Sequence, residues 1–286
     1  MRWVHVFPFL LAAMATAAEA QELSLSGTAS AGLVYDSADP DGEVSTDTEV
    51  NFVIAGSGQS DGGLTFGAFV DIDETGVDDA EVFLSGAFGT IRLGAVDPAA
   101  DGFGIRDPGF SGLGIDDVAE QFRNATAGAD VEYTWSRGGV TLIATAEVGD
   151  ESSLGVSAAY GTETFNLGLG YVDDADAANS AVSVMAGYSF GPVAVNGLYS
   201  DWSEGGQGYG LDLSVDTGRA NVTAAWAQAT GAEADPEAGL GDAYGIGMSV
   251  PLSDGLTLSG GLGRIETDAA PEGARTVADF GVTMNF

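Results

Sequence analysis

The feature that most constrains this chain is a strand-like alternation of apolar and polar residues, which recurs from Glu22 to Phe286. A period of two places successive side chains on opposite faces of a β-strand, and no comparable stretch has the 3.6-residue period of a helix. Gly, Asp, Ser, Asn or Pro separates one segment from the next. The pattern predicts an all-β, antiparallel fold with about sixteen strands of about 8–12 residues. The segments are centred on residues 22–35, 49–54, 64–72, 82–84, 91–95, 131–135, 142–148, 154–160, 165–171, 182–190, 193–199, 209–215, 220–226, 244–250, 256–262 and 278–286.

The two faces of these segments differ in chemistry. One face carries Leu, Val, Phe, Tyr and Trp, whereas the other is small and polar, as in Ser153, Gly155 and Ser157. A soluble β-sandwich would turn its bulky residues inward, on strands of about 5–6 residues. We interpret the bulky face as facing lipid and the polar face as lining water. Strands in lipid must close on themselves, so a transmembrane β-barrel with an aqueous channel is predicted. A soluble secreted β-sandwich that binds a ligand is the alternative.

The connections between segments alternate in length. Those near 57–62, 136–139 and 251–255 are short, whereas those near 36–47 and 97–129 are long and rich in Asp, Glu, Gly or Pro. Short turns at one end and long loops at the other are typical of outer-membrane barrels. An even number of strands also places both termini at the same end.

The first twenty residues have the organisation of a secretory signal peptide. Arg2 supplies a positive start, an apolar stretch begins at Val4, and Ala18-Glu19-Ala20 has the small-x-small form of a cleavage site. An N-terminal membrane anchor is the alternative, but the apolar stretch is short for a span. We predict that residues 1–20 are cleaved, which leaves residues 21–286 as a single barrel domain.

Composition excludes several classes of function. The chain has 43 acidic residues against 8 basic ones, all of them arginine, and a formal net charge of -35. This charge argues against nucleic acid as a partner and makes cations the more natural one. The single histidine, His5, leaves with the signal peptide, and the chain has no cysteine. Catalysis that depends on His or Cys, a zinc site and thiol redox chemistry are therefore excluded, and we predict no enzymatic activity.

Several stretches resemble the general diffusion porins of Gram-negative bacteria, in particular the alphaproteobacterial type known from purple bacteria. The start Glu22-Leu-Ser-Leu-Ser-Gly27 is similar to the first strand of that family. Ser60-Asp-Gly-Gly-Leu-Thr-Phe-Gly-Ala68 and Val82-Phe-Leu-Ser-Gly-Ala-Phe-Gly89 are similar to its third and fourth strands, and the terminal Phe286 to its closing strand. The resemblance implies a sixteen-stranded homotrimer for small hydrophilic solutes, in which the third long loop folds into the barrel and narrows it.

By position, this loop corresponds to residues 97–129, a long stretch without strand alternation. Phe103, Phe110, Leu113 and Ile115 would pack it against the wall, and its carboxylates would give the narrowest part of the pore a negative edge. A linker between two domains is the alternative, but strands of the same kind continue on both sides. The predicted constriction residues are Asp97, Asp101, Asp107, Asp116, Asp117 and Glu120 of the loop, and Arg92 of the wall.

The resemblance also implies an arginine cluster on the wall that faces this loop, and here the sequence departs from the family. Arg92 is the one mid-strand arginine with inward parity, Arg137 and Arg219 lie at turns, and Arg264 has outward parity. A lumen rich in carboxylates and poor in arginine is expected to favour cations weakly. The alternative is that the acids only solvate a wide pore. The predicted lumen-lining acids are Glu49, Asp71, Glu132, Glu147, Asp212 and Asp279.

The acidic clusters of the loops raise the question of calcium. The clusters around Asp39 and Asp73 lack EF-hand spacing, because no carboxylate stands at the twelfth position. No cofactor and no specific metal site are therefore predicted. Two alternatives to simple solvation of these acids are kept. Calcium could be held by Asp116, Asp117 and Glu120, or it could bridge loop carboxylates to lipopolysaccharide phosphates.

The sequence thus predicts an outer-membrane porin, a passive channel for ions and small hydrophilic solutes. A substrate-specific channel is the alternative. It would need an inward aromatic track, yet few aromatic residues besides Phe69, Phe83 and Trp202 have inward parity. The last strand is expected to close the ring against the first, because an open sheet edge is not tolerated in lipid. The resemblance further implies that Phe286 is a signal for the outer-membrane assembly machinery.

Overall fold

The protein is a closed antiparallel β-barrel. The computed structural model describes residues 22–39, 43–73, 75–124, 127–149, 152–174, 179–270 and 273–286, and the predicted signal peptide lies outside them. Within these ranges, sixteen strands each pair with their neighbours in sequence, and β16 pairs with β1. The predicted fold class is confirmed, and the soluble sandwich is excluded. The strands are β1 Glu22–Asp36, β2 Val44–Gln59, β3 Thr65–Asp73, β4 Gly76–Gly86, β5 Gly89–Gly94, β6 Val131–Arg137, β7 Val140–Ala146, β8 Ser153–Gly161, β9 Phe165–Asp174, β10 Asn179–Phe190, β11 Val193–Trp202, β12 Gln207–Asp216, β13 Asn221–Thr230, β14 Gly241–Ser253, β15 Leu256–Thr267 and β16 Arg275–Asn285.

The bulky parity of every strand faces outward. Small residues such as Gly170, Ser183 and Gly210 point to the barrel interior on the opposite parity. Transmembrane barrels have apolar residues on the outer face of the wall and small or polar residues on the inner face. The orientation predicted from the sequence is therefore confirmed. Exposed outward residues include Leu25, Ile54, Phe66, Leu93, Leu142, Val156, Leu169, Val184, Leu213, Ile246, Leu262 and Phe280.

The seam between the last and first strands includes the terminal residue. The Phe286 N–H donates to the Gly27 carbonyl at 3.0 Å, and the Gly27 N–H donates to the Phe286 carbonyl at 2.9 Å. The Phe286 ring meets Phe52 edge-on with a centroid separation of 5.7 Å. A Cβ at position 27 would lie 2.9 Å from the Phe286 ring, so glycine at this position leaves room for the ring. The predicted ring closure therefore extends to the final residue.

The short turns lie at one end of the barrel, as expected. Between β6 and β7, Gly138 and Gly139 have φ values of 60° and 84°, which suit a two-residue hairpin turn that requires positive φ. The longer connections lie at the other end. One of them, residues 95–130 between β5 and β6, contains α1 Ile115–Glu120. In the described part of the chain, no helix is long and apolar enough to cross a membrane.

Candidate pore and its constriction

The segment of residues 95–130, here called the inner loop, folds into the barrel as predicted. Its helix α1 contacts β11, β12, β13 and β14. Ile115, Val118 and Phe122 are fully buried and form one hydrophobic cluster with inward residues of the wall. The wall residues of this cluster are Val172, Ala181, Leu198, Trp202, Ala225, Ala227, Ala229, Ala243, Ile265 and Val277. Much of the lumen is therefore filled by packed protein.

Inward glycines give the inner loop its seat on the wall. The Phe103 ring lies over Gly168 of β9, where a Cβ would stand 2.7 Å from the ring. A Cβ at Gly208 of β12 would collide with the Ala119 carbonyl oxygen, and one at Gly245 of β14 with the Ile115 side chain. The small, polar face to which these glycines belong was predicted to line water. The structure corrects this prediction, because their missing side chains make room for the loop.

Two wall carboxylates hold the inner loop in place. Asp212 of β12 is 0% exposed. It accepts hydrogen bonds from the Arg106 N–H at 3.0 Å, from Arg106 Nη1 at 2.6 Å and from Asn196 Nδ2 at 2.9 Å. Asp279 of β16 accepts the N–H groups of Phe110 at 2.7 Å and Ser111 at 2.9 Å. Both were predicted to line the lumen. They do point inward, but they are buried beneath the loop and anchor it.

Phe110 extends the covered surface to β1. Its ring packs on Gly281 of β16 and on Gly32 of β1. At the other end of the loop, the Ala99 N–H donates to Thr145 Oγ1 of β7 at 3.1 Å. The contacts of the inner loop thus run from β7 through β16 to Gly32, and we call this part of the inner wall the covered sector. The predicted packing role of Phe103, Phe110, Leu113 and Ile115 agrees with these contacts.

Two of the predicted constriction acids bind an arginine within the inner loop. Arg123 Nη2 lies 3.0 Å from Asp101 Oδ1, and Arg123 also pairs with Glu120. Glu120 Oε1 in addition accepts the Ile105 N–H at 2.8 Å. The predicted negative edge therefore needs correction at Asp101 and Glu120, because their charges are paired with Arg123 and hold the two limbs of the loop together.

Asp107 and Asp116 form a second acidic element in the loop. Asp107 Oδ2 accepts the Gly114 N–H at 2.7 Å just before α1. Burial raises the pKa of Asp107 well above its usual range, and the neighbouring charge of Asp116 adds to the effect. Burial and then the charge of Asp117 raise the pKa of Asp116 to about 6, although a hydrogen bond with Asp107 opposes the shift. Burial, followed by the charge of Asp235, also raises the pKa of Asp117.

The structure does not assemble the calcium site considered from the sequence. The Glu120 carboxylate binds Arg123 and the Ile105 N–H, so it does not share a ligand position with Asp116 and Asp117. Across the described ranges, no group of three or more His, Cys, Asp or Glu side chains could hold a metal ion.

The inward side of β2–β6 forms the rest of the wall, and we call it the open sector. Its charged residues include Glu49, Asp71, Glu81, Arg92 and Glu132. Arg92 Nη1 lies 3.4 Å from Glu132 Oε1, and Arg92 Nε lies 3.9 Å from Glu81 Oε2. The Arg92 side chain is 35% exposed, and each glutamate side chain 11%. We call these three residues the charge triad. Asp97 is exposed at the start of the inner loop.

Glu147 stands apart from the open sector. It follows β7 near the end of the barrel that carries the long loops, and its Oε2 accepts the Ser153 hydroxyl at 3.0 Å. Its carboxylate also lies beside Gly128, where the inner loop returns to the wall. Its place is therefore the rim above the passage.

The four inward arginines of the described residues all have carboxylate partners. Arg92 pairs with Glu81 and Glu132, and Arg106 pairs with Asp212. Arg123 pairs with Asp101 and Glu120, and Arg275 at the start of β16 pairs with Asp36. The sequence reading identified only Arg92 among them. It also missed Glu81, although Glu81 shares its parity with the inward Phe83 on the same strand. Arg106 and Arg123 lie in a segment without strand periodicity, which carried no signal for their orientation.

Comparisons with known proteins agree with this architecture. The sequence profile of the Gram-negative porin family matches residues 9–270. A porin of Rhodobacter capsulatus is 29% identical over 310 residues, and one of Fuscovulum blasticum 27% over 303 residues; each match covers 93% of this chain and all of the relative.

Solved structures show the same fold. A mutant of Rh. blastica porin matches with a TM-score of 0.77 and 24% identity over 93% of this chain and all of that one. A porin structure refined at 1.8 Å matches over the same shares with a TM-score of 0.72 and 24% identity. The barrel, its inserted loop and the match to most of the chain lead to one conclusion: the protein belongs to the Gram-negative porin family and forms a multi-pass β-barrel channel in the outer membrane.

Proposed function

We propose that this porin conducts small hydrophilic solutes passively and prefers cations to anions. The inner loop is the constriction, and the water-filled passage runs between the loop and the open sector. The observation that supports this proposal is the pairing of the inward arginines with carboxylates, which leaves the passage with a surplus of acid. Glu49, Asp71, Asp97 and the charge triad supply that surplus. Acidic pore linings concentrate cations and repel anions.

The reversal potential in a planar bilayer tests the selectivity. With a KCl gradient across the membrane, we expect the sign that indicates a K⁺ permeability greater than that of Cl⁻. The preference should weaken as the salt concentration rises, because the Debye length falls from about 10 Å at 0.1 M to about 3 Å at 1 M. A potential of the opposite sign would contradict the proposed selectivity.

Saturable transport of one substrate is less well supported. Of the three inward aromatic residues that could form a track, Trp202 is buried against Phe122, with ring centroids 6.2 Å apart. Phe69 and Phe83 remain on the open sector. Flux of small sugars through proteoliposomes should therefore rise linearly with concentration, whereas saturation would favour a specific channel. No covalent step is expected, since residues 21–286 contain neither His nor Cys.

Export and assembly complete the proposal. Residues 1–20 are removed on export, the protein assembles as a homotrimer in contact with outer-membrane lipid and lipopolysaccharide, and Phe286 acts as an assembly signal. The position of Phe286 in the closing seam supports this role. Deletion of Phe286 should reduce the amount of heat-modifiable, SDS-resistant trimer far more than the conductance of those channels that form. Normal insertion of the truncated chain would contradict the assembly role.

A further inference from the structure

The strand register and the hydrogen bonds of the inner loop show where the charge triad lies along the barrel. Glu132 of β6 pairs in register with Thr145 of β7, and Thr145 accepts the Ala99 N–H of the loop. The inner loop begins directly after β5, the strand that carries Arg92, and the Ala95 N–H bonds to the Ala80 carbonyl next to Glu81. The triad therefore lies at the height where the loop leaves the wall and enters the lumen.

The geometry of the triad removes Arg92 as a free cation. Its guanidinium lies between Glu81 on one side and Glu132 on the other, at 3.9 Å and 3.4 Å. The Thr134 hydroxyl donates to Glu132 Oε1 at 2.7 Å and so orients the second carboxylate. With both glutamates ionised, the formal charge of the three groups is -1. Although Arg92 is positively charged, this part of the wall therefore has no net positive charge.

Other carboxylates close to the loop have different partners. Asp101 and Glu120 pair with Arg123, and Asp212 and Asp279 bind loop N–H groups. The triad is the place on the open sector where both signs of charge meet, so a single substitution there can move the local charge in either direction.

We propose that the triad of Glu81, Arg92 and Glu132 sets the ion selectivity of the passage, with Glu81 and Arg92 as opposing specificity-determining residues. This inference rests on the proposed cation-conducting function and assigns it to particular groups. The net charge of the triad is the quantity that matters. At pH 9, with the remaining carboxyl groups ionised, Arg92→Gln should change that charge from -1 to -2 and Glu81→Gln should change it to 0. Glu81→Gln combined with Glu132→Gln should change it to +1.

Reversal potentials of the membrane-assembled protein, measured at pH 9, test this order. A unit charge about 6 Å from a permeating ion in water changes its local concentration by about threefold. The cation-to-anion permeability ratio should therefore rise by about threefold or more in Arg92→Gln. It should fall by a similar factor in Glu81→Gln and fall further in the double glutamine variant. The triple variant, with all three residues changed to glutamine, should match Glu81→Gln, because both have a net charge of 0.

Two controls separate charge from disruption. Arg219→Gln makes the same change in charge at an exposed turn and should leave the ratio unaltered. Arg92→Lys keeps the charge and should also retain the wild-type ratio. If Arg92→Gln fails to assemble, the near-isosteric Glu81→Gln and the triple variant still test the prediction. Heat-modifiable migration on gels verifies the fold of each.

The outcomes distinguish this inference from the function on which it rests. Opposite shifts in Arg92→Gln and Glu81→Gln support the triad even if the wild-type channel has no cation preference, a result that would overturn only the proposed selectivity. A cation-selective wild type whose ratio is the same in all triad variants would overturn the triad and leave the selectivity to Glu49, Asp71 or Asp97.

Discussion

The covered and open sectors of the inner wall share strand periodicity but have opposite compositions. In the covered sector, inward positions are mostly Gly, Ala and Ser, and the two carboxylates Asp212 and Asp279 bind loop N–H groups. In the open sector, inward positions include Phe69, Phe83 and the charge triad.

Parity alone explains which face of a strand points inward, and it is the same in both sectors. The sectors differ in what the inward side chains contact, which is the inner loop in the covered sector and water in the open sector. A glycine beneath the loop is a packing residue, and a carboxylate beneath the loop is an acceptor for backbone N–H groups. The same residue types in the open sector meet water and ions. The role of an inward residue in such a barrel therefore depends on whether protein or solvent lies above it.

Of the substitutions that test the difference between the sectors, Asp212→Ala should have the largest effect, because it weakens the attachment of the inner loop to the covered sector. Two donors of the loop residue Arg106 lose a charged acceptor, as does Asn196 on the neighbouring wall strand. Hydrogen bonds to charged groups are each worth about 1.5–3 kcal/mol. Because the Arg106 side chain is 46% exposed and can regain water, we expect the loop anchorage to weaken by about 3 kcal/mol in total. Single-channel conductance should rise and become noisy as the loop leaves the wall.

Asp216→Ala is the matched control for this experiment, since Asp216 is an exposed carboxylate at the short-turn end of the same strand. It should retain the wild-type conductance. Quiet, wild-type currents in Asp212→Ala would show that apolar packing alone holds the loop.

A smaller effect is expected from Gly208→Ala. The new Cβ would collide with the Ala119 carbonyl oxygen and stand 3.0 Å from the Phe122 ring. Overpacking of this kind costs about 1–3 kcal/mol, so α1 should be displaced and the channel should denature at a lower temperature. Gly197→Ala on β11 is the control, because the nearest atom to its Cβ would be 3.6 Å away. Equal stability of the two variants would contradict the role of Gly208 as a seat for the loop.

A change in pH should alter the covered sector more gently. Burial raises the pKa of Asp116 to about 6 from a usual value of 3.8, so the docked loop favours the protonated carboxyl. The resulting contribution to loop docking is fully present below about 3.8 and is lost as the pH rises through about 6. A spin label at Ser111→Cys, unique because the chain has no cysteine, should be less mobile at pH 4 than at pH 7.5. Asp116→Asn should reduce that difference, and an undiminished difference would assign the effect to other groups.

The smallest effect is expected in the open sector from Thr134→Val. It removes the hydrogen bond at 2.7 Å to Glu132 but leaves the charge of the triad unchanged. The permeability ratio should therefore change by much less than the roughly threefold expected for a unit charge. Ser136→Ala on the same strand, which loses only a contact with Thr141, is the control. A shift as large as that of Arg92→Gln would mean that the orientation of Glu132 matters as much as charge.

Most of the fold could be predicted from the sequence, because it depends on a local period of two. Residues Leu167 and Gly168 show this, since their alternation alone places one in lipid and the other inside. The pairing of β16 with β1 could be predicted from the same pattern, because a sheet with an unpaired edge strand is not stable in lipid.

The candidate site was less predictable, because it depends on contacts between residues far apart in the chain. Asp212 meets Arg106 across 106 positions, and Asp279 meets Phe110 across 169. No local pattern indicates that these carboxylates are covered. Arg92 was correctly placed inward, but its partner Glu81 lies on the neighbouring strand and becomes apparent only when the register of β4 and β5 is known.

The hydrogen bonds of Asp279 to Phe110 and Ser111 also fix an order of events during biogenesis. The inner loop is made before β6, whereas the acceptor for its midpoint belongs to the last strand, and the Phe110 ring rests between β16 and β1. This part of the seat exists only once those two strands are side by side. The inner loop therefore reaches its final position only when the barrel closes, so a chain whose last strand cannot pair with the first should also lack a fully docked constriction loop.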